Sequence, residues 1–293
     1  EELDAWASGT AERTSSLKAL GCQFRQLIGP APQAVHPEGL PQGMFLAAHR
    51  PVQQVLDRLR TVPEAHVLYP LDVLREIITF RDPFSKTDSH WNDLGTYLGY
   101  EMLADSLARD VSLRRLTRRE VSFHETCYAG DLGDKLSPKR ASIFLRARVE
   151  TASARVVDDN RVRNHGRRAV FECPAAPPTT CMVFGDSWAY SLMLFLAESF
   201  RRVVFCHRVN VIDHDAVALE RPDVVLSIMT ERFCTALPLD RNAVAFEQVA
   251  AKKVAASDLV RVQTPVKPHD YLFSLELERG LNQAGGTYLP PNG

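Results

Sequence analysis

Residues 181–200 read CMVFGDSWAYSLMLFLAESF: a short apolar run, a glycine turn, and a second apolar run at near-helical spacing. The first run, 181–184, suits a buried strand and the second, 190–200, suits a helix. A strand passing through Gly185 and Asp186 into a helix puts the Ser187 hydroxyl at the carboxyl edge of a sheet and at a helix N-terminus. An anion or a developing oxyanion is best stabilised there. Asp and Ser are also the residues that cap helices. On this stretch alone, a capped helix start and a serine nucleophile are equally good readings.

A serine hydroxyl attacks well only when an imidazole takes its proton and a carboxylate holds that imidazole in the right tautomer. The run 86–93, KTDSHWND, offers both groups ahead of an amphipathic stretch that reaches Ala108. Asp88 and His90 lie two apart, so an extended segment projects both to one side. An Asp-x-His alone occurs often by chance. With a Gly-Asp-Ser turn in the same chain it becomes a candidate set: Ser187 as nucleophile, His90 as base, Asp88 as its orienting carboxylate.

The 293 residues suffice for one large core, or for one domain with a sizeable insertion. A net charge of −1 leaves no global field to attract nucleic acid or a membrane, so no nucleic-acid partner is expected. No apolar run approaches the roughly 18 residues that span a bilayer. The chain begins at Glu1 with neither Met nor a signal-like segment, which reads as a mature or trimmed form. Six cysteines are present without zinc-ribbon spacing or a close His-Cys cluster, so neither a metal nor another cofactor is expected. Cys173 and Cys181 flank a Pro-rich loop that a disulfide could close; the alternative is that both are small buried residues.

In chain order, 1–20 reads as a helix, 22–28 as a strand, 50–59 as a helix, 65–69 as a strand, and 71–78 and 92–108 as helices. This alternation predicts an α/β fold with a parallel sheet covered on both faces. It stops over 110–175, where short strands at 121–127, 143–151, 155–157 and 169–173 are separated by turns. That stretch reads as a β-rich insertion within a single domain spanning 1–293. It carries Arg114, Arg115, Arg118, Arg119, Arg161, Arg163, Arg167 and Arg168. They are either solvated faces or contacts to an anionic glycan. Alternation resumes after 181, with strands at 203–206 and 224–229 around a helix at 213–219. Arg232 follows the last strand. Ligands of open α/β sheets bind outside the carboxyl ends of strands, so Arg232 either faces the site or joins a local ion pair. Residues 270–277 suit strand or helix, and the Gly- and Pro-rich end reads as a loose tail.

Several landmarks follow one another in a fixed order over residues 20–240. They are Pro37-Glu38-Gly39-Leu40-Pro41, Asp88-Ser89-His90-Trp91, Gly130-Asp131-Leu132-Gly133, Asp159-Asn160, Asn164-x-Gly166-Arg167, Gly185-Asp186-Ser187, Arg221-Pro222-Asp223-Val224-Val225 and Glu231-Arg232-Phe233. The series resembles the SGNH-hydrolase-like domain of alginate-type polysaccharide O-acetyltransferases, with His36 where that family usually has Tyr. The resemblance implies a flavodoxin-like SGNH fold in which acid and base precede the nucleophile. It implies work in the bacterial periplasm or at the cell surface, moving acetyl groups onto exopolysaccharide hydroxyls, with a membrane-bound acyltransferase partner supplying the acetyl. Some members add a carbohydrate-binding module; the stretch after Asp258 is short for one, which leaves glycan binding to the main domain. The Ser187 N–H is then an oxyanion donor, with Asn160, Asn164 and Arg232 as candidates for the second. Trp91, Trp188 and Tyr190, beside the motifs, either stack on sugar rings or pack in the core. A carbohydrate esterase of the same fold and a non-catalytic glycan-binding subunit of an export complex are the alternatives.

Overall fold

The computed structural model describes residues 1–242 and 244–255, together with Pro268. The strands are β1 (Gln23–Gly29), β2 (Val67–Leu68), β3 (Val121–Tyr128), β4 (Ser142–Val149), β5 (Arg155–Asp159), β6 (Arg168–Glu172), β7 (Thr180–Gly185), β8 (Arg202–His207) and β9 (Val224–Thr230). The helices are α1 (Glu2–Ala19), α2 (Pro32–Val35), α3 (Pro51–Leu59), α4 (Leu71–Ile77), α5 (Asp93–Leu107), α6 (Gly130–Gly133), α7 (Ala189–Ser199), α8 (His214–Glu220) and α9 (Phe246–Ala255). The reading of 270–277 and of the tail falls outside the described residues.

Seven strands form the main sheet in the order β2-β1-β9-β7-β8-β6-β5. From β2 to β8 every pairing is parallel, whereas β6 and β5 are antiparallel to their neighbours. The central strands are apolar along their length because both faces are covered. Phe24, Met182, Val204 and Val225 pack with Leu17 of α1, Val217 of α8 and Phe246 of α9. Leu27, Val183, Phe205 and Leu226 pack with Tyr97 and Tyr100 of α5 and Phe195 of α7. Helix α7 is buried at every position but Ser191, so it needs no polar face. It contacts α5 on one side and β8 on the other.

The α/β sheet flanked by helices is mostly parallel, with two antiparallel strands at one edge, and the strands of 110–175 divide between two sheets. β3 and β4 pair with each other as a separate antiparallel sheet against α5, while β5 and β6 extend the main sheet beyond β8. Short strands between turns read alike in either place, because the partner of β6 lies on the far side of β7 and α7 in sequence. The Cys173–Cys181 disulfide is also absent: all six cysteines are free. β8 lies between β6 and β7, and two inter-strand steps of about 4.8 Å each exceed the Cα separation of about 7 Å that a disulfide tolerates. Cys173 instead places its Sγ 3.1 Å from Ser153 Oγ.

Candidate active site

The carboxyl ends of four parallel strands come level. Gly29 pairs with Thr230, and Gly185 pairs with both Ile228 and His207. Ser187 lies two residues past Gly185, in the turn into α7. A Cβ on Gly185 would sit 2.5 Å from Ala189 Cβ and 2.9 Å from the Ile228 carbonyl oxygen. Glycine is thus required because the helix starts pressed against the strand. Asp186 does more than cap. Its Oδ1 accepts the Trp188 N–H at 2.9 Å, and its Oδ2 accepts the Thr230 N–H at 2.9 Å. Burial raises the pKa of this carboxyl, against the pull of those two N–H groups and of the charges of His90 and Arg232. Among the described residues the Ser187 N–H has no acceptor.

The second half of the site precedes α5. The Asn92 side chain caps that helix, accepting from Leu94 N at 3.0 Å and Gly95 N at 3.2 Å, and its Nδ2 donates to the Asp82 carbonyl at 2.7 Å. Just before this cap, His90 Nε2 lies 2.8 Å from Ser187 Oγ, and His90 Nδ1 lies 2.7 Å from Asp88 Oδ1. The same Oδ1 accepts the His90 backbone N–H at 2.8 Å, and Asp88 Oδ2 accepts the Tyr128 hydroxyl. Burial acts to raise the Asp88 pKa, but the hydrogen bonds and charge of His90, with the Tyr128 hydroxyl, outweigh it and hold it at about 2. Asp131 accepts from Ser89 N at 2.6 Å and from Ser89 Oγ at 2.7 Å. One ligand atom each of Asp88, His90 and Asp131 lie within 4.8 Å of one another. By spacing these three could surround a cation. Their carboxylate oxygens, however, already accept protein hydrogen bonds.

Residues 2–207 match the family described as SGNH hydrolase-like domain, acetyltransferase AlgX. The chain belongs to this AlgX family. No curated protein sequence matches it. Among solved structures it is similar to PatB1 of Bacillus cereus carrying a sulfonyl adduct, at 14% identity over 80% of this chain and 89% of that one, with a TM-score of 0.64. It is similar to the O-acetyltransferase domain of Pseudomonas putida AlgJ, at 14% identity over 87% and 90%, with a TM-score of 0.57. It is also similar to Pseudomonas aeruginosa AlgX, at 11% identity over 85% of this chain and 60% of that one, with a TM-score of 0.50. At these identities the likeness is one of fold, and the fold is SGNH-hydrolase-like.

Of the other residues singled out in this AlgX-family chain, Arg232 is the one at the rim. It is exposed in the short 3-10 turn Glu231–Thr235, its guanidinium lies 5.1 Å from the Phe233 ring centroid, and its charge reaches Asp186. That turn is tied down by Glu231, which takes Arg50 on one oxygen and the Tyr69 hydroxyl on the other. Trp91 is buried, donating Nε1 to Ser191 Oγ at 3.1 Å, and Trp188 packs on it at 4.9 Å between ring centroids. Both are core aromatics, not stacking platforms. Tyr190 is likewise buried, with its hydroxyl 2.7 Å from His207 Nδ1.

Asn160 closes its own loop two strands beyond β8, donating to the Gly166 carbonyl at 2.9 Å and accepting from Val162 N and Arg168 N at 3.1 and 3.0 Å. Asn164 is exposed at φ 55°, a turn residue. His36 bridges Glu38 and Asp82, 2.9 Å from each. Burial acts to lower its pKa, and the two carboxylates outweigh that and raise it. Most arginines of 110–175 hold neighbouring carboxylates: Arg114 holds Glu120, Arg115 holds Asp105, Arg167 holds Asp159, and Arg168 holds Asp158. Tyr128 was invisible to sequence reasoning, while Asp131 stood within a landmark that had no assigned role.

Proposed function

We propose that this chain is a serine-dependent O-acetyltransferase that places acetyl groups on hydroxyls of a bacterial exopolysaccharide or cell-surface glycan. The supporting observation is the continuous hydrogen-bonded line from Ser187 Oγ through the His90 ring to Asp88. Its place in an AlgX-family domain adds to that, as does the wording of the AlgJ structure, an O-acetyltransferase domain. In the proposed first half-reaction, His90 Nε2 takes the Ser187 proton as Oγ attacks the acetyl carbonyl. Asp88 holds the His90 tautomer and stabilises the imidazolium. The uncommitted Ser187 N–H receives the developing oxyanion. The donor's oxygen leaves with the proton from His90, and acetyl remains on Ser187. In the second half, His90 takes the proton of a sugar hydroxyl, which attacks the acetyl-serine and releases Ser187.

The acetyl donor would come from a membrane-bound acyltransferase partner, with the work done in the periplasm or at the cell surface. Among the described residues no helix is long and apolar enough to cross a membrane. The His90 side chain is 23% exposed, so water reaches the same base, and ester hydrolysis is the competing outcome. The short Ser187–His90 distance speaks against a purely scaffolding role.

The test gives a small activated acetyl ester to the wild type and to Ser187→Ala, with and without oligosaccharides. Ester loss and acetylated sugar are followed by mass. Ser187-dependent ester loss with acetyl on sugar supports the transferase. Acetate alone supports the esterase. Equal turnover by both proteins removes the catalytic reading.

A further inference from the structure

We infer that residues 128–133, running from the end of β3 through α6, clamp the Asp88–His90 pair and set how tightly His90 holds its proton. Tyr128 and Asp131 are the positioning residues. The inference deepens the proposed function and rests on that reading of Ser187, His90 and Asp88.

Thr87, Asp88 and Ser89, the three residues before His90, are each gripped from this one segment. The Thr87 carbonyl accepts the Leu132 N–H at 3.1 Å and the Gly133 N–H at 2.9 Å. Thr87 Oγ1 donates to the Tyr128 carbonyl at 3.3 Å. Asp88 Oδ2 takes the Tyr128 hydroxyl, and Asp131 takes both Ser89 donors. Gly130 lies at φ 61°, and a Cβ there would sit 2.3 Å from the Thr87 carbonyl oxygen and 2.8 Å from Asp88 Cβ. Only glycine lets the two backbones approach so closely. Tyr128 is itself wedged, with its ring edge-on to Phe144 at 4.9 Å and 87°, and the Arg146 guanidinium 5.2 Å from its centroid. With both carboxylate oxygens engaged, Asp88 is fixed in rotation, and so is the imidazole it presents to Ser187.

The two residues act on His90 with opposite sign. The Tyr128 hydroxyl draws Asp88's negative charge toward Oδ2, away from the imidazolium on Oδ1. Asp131 adds a second negative charge, with one oxygen within 4.8 Å of a His90 ring nitrogen. Opposite charge nearby favours the protonated imidazole. Of the other charged groups, Asp186 interacts with His90 by charge, and the Arg232 charge reaches Asp186.

The experiment titrates the His90 ring protons by NMR in the full chain, for wild type, Tyr128→Phe and Asp131→Asn, and records ester turnover against pH. Asparagine keeps both Ser89 contacts and removes only charge. Tyr128→Phe should raise the His90 midpoint, move the acidic limb of kcat/KM to higher pH, and lower kcat about tenfold at unchanged KM. Asp131→Asn should shift the midpoint and the limb the other way. Urea unfolding checks that both variants fold. Unmoved midpoints, or shifts in the same direction as general loosening would give, overturn the clamp. If Ser187→Ala leaves turnover intact, the catalytic reading falls, and the NMR midpoints still decide the clamp.

Discussion

Asp186 and Thr230 are joined across two adjacent strand ends: the carboxylate beside Ser187 accepts the Thr230 backbone N–H at 2.9 Å. The turn that presents Ser187 is therefore tied to the end of β9, from which the Arg232 turn departs.

Asp186→Asn should break this tie. Its amide nitrogen cannot accept, so either the Trp188 or the Thr230 N–H is left unpaired in a buried position. The expected cost is about 1–3 kcal/mol, read as a lower urea midpoint at unchanged slope. Ester turnover should fall as well, because Ser187 loses its support. Wild-type stability and turnover in the variant would dismiss the role.

Gly185→Ala should be tolerated poorly, since the new methyl would meet both Ala189 Cβ and the Ile228 carbonyl. Overpacking of this kind costs about 1–3 kcal/mol. Displacement of Ser187 should make the loss of turnover at a temperature where the variant stays folded larger than the loss of stability alone explains. Thermal unfolding with turnover at matched folded fraction separates the two effects.

Asp88 links the site to acid stability. Its pKa is held at about 2, below the roughly 3.9 of an unfolded chain. A depressed folded value contributes stability that is present above the unfolded pKa and lost as pH falls through the folded one. Asp88→Asn should therefore be less stable than wild type by on the order of 2 kcal/mol at pH 6, a gap that closes between about pH 4 and pH 2. Its kcat should fall on the order of 10³- to 10⁴-fold, because the imidazole loses its tautomer. Urea unfolding at pH 6 and pH 3 and a turnover assay check the two halves independently.

A sulfonyl fluoride should label Ser187 and no other serine. Oγ attacks sulfur, the S–F bond breaks, fluoride leaves, and His90 takes the proton. His90→Ala should slow labelling by about 10²-fold or more. Peptide mapping checks the position and intact mass gives the rate. A second labelled serine, or labelling indifferent to His90, would contradict the geometry.

The cysteines offer a check on the packing. Cys127 is exposed, whereas Cys22, Cys173, Cys181, Cys206 and Cys234 are buried. Burial pushes the thiols of Cys181 and Cys206 far up. An aromatic disulfide reagent should titrate a single thiol in the native protein and six after denaturation. A reductant should leave the melting temperature unchanged.

Local pattern carried much of this. The 181–200 run becomes β7, the turn and α7 with ends within two residues of expectation, because strand and helix there are dictated by unbroken apolar sequence. Asp88 and His90 were legible because they sit two apart in one loop. Tyr128 was not: its claim on Asp88 depends on a fold-level contact 40 residues away. The pairing of β6 with β8 was hidden for the same reason. Asn160 and Asn164 show why a short amide reads two ways in sequence. A short amide suits an oxyanion donor, but it suits a turn that closes on itself equally well, and the structure uses both residues so.

The outermost strands of the main sheet differ from the rest. β2 has only two residues, and β5 is bulged between Val156 and Asp158. Unpaired strand borders are templates on which further chains can add, and short or irregular borders deny them a matching partner. At both of its borders the main sheet therefore offers a second copy little regular strand to add to.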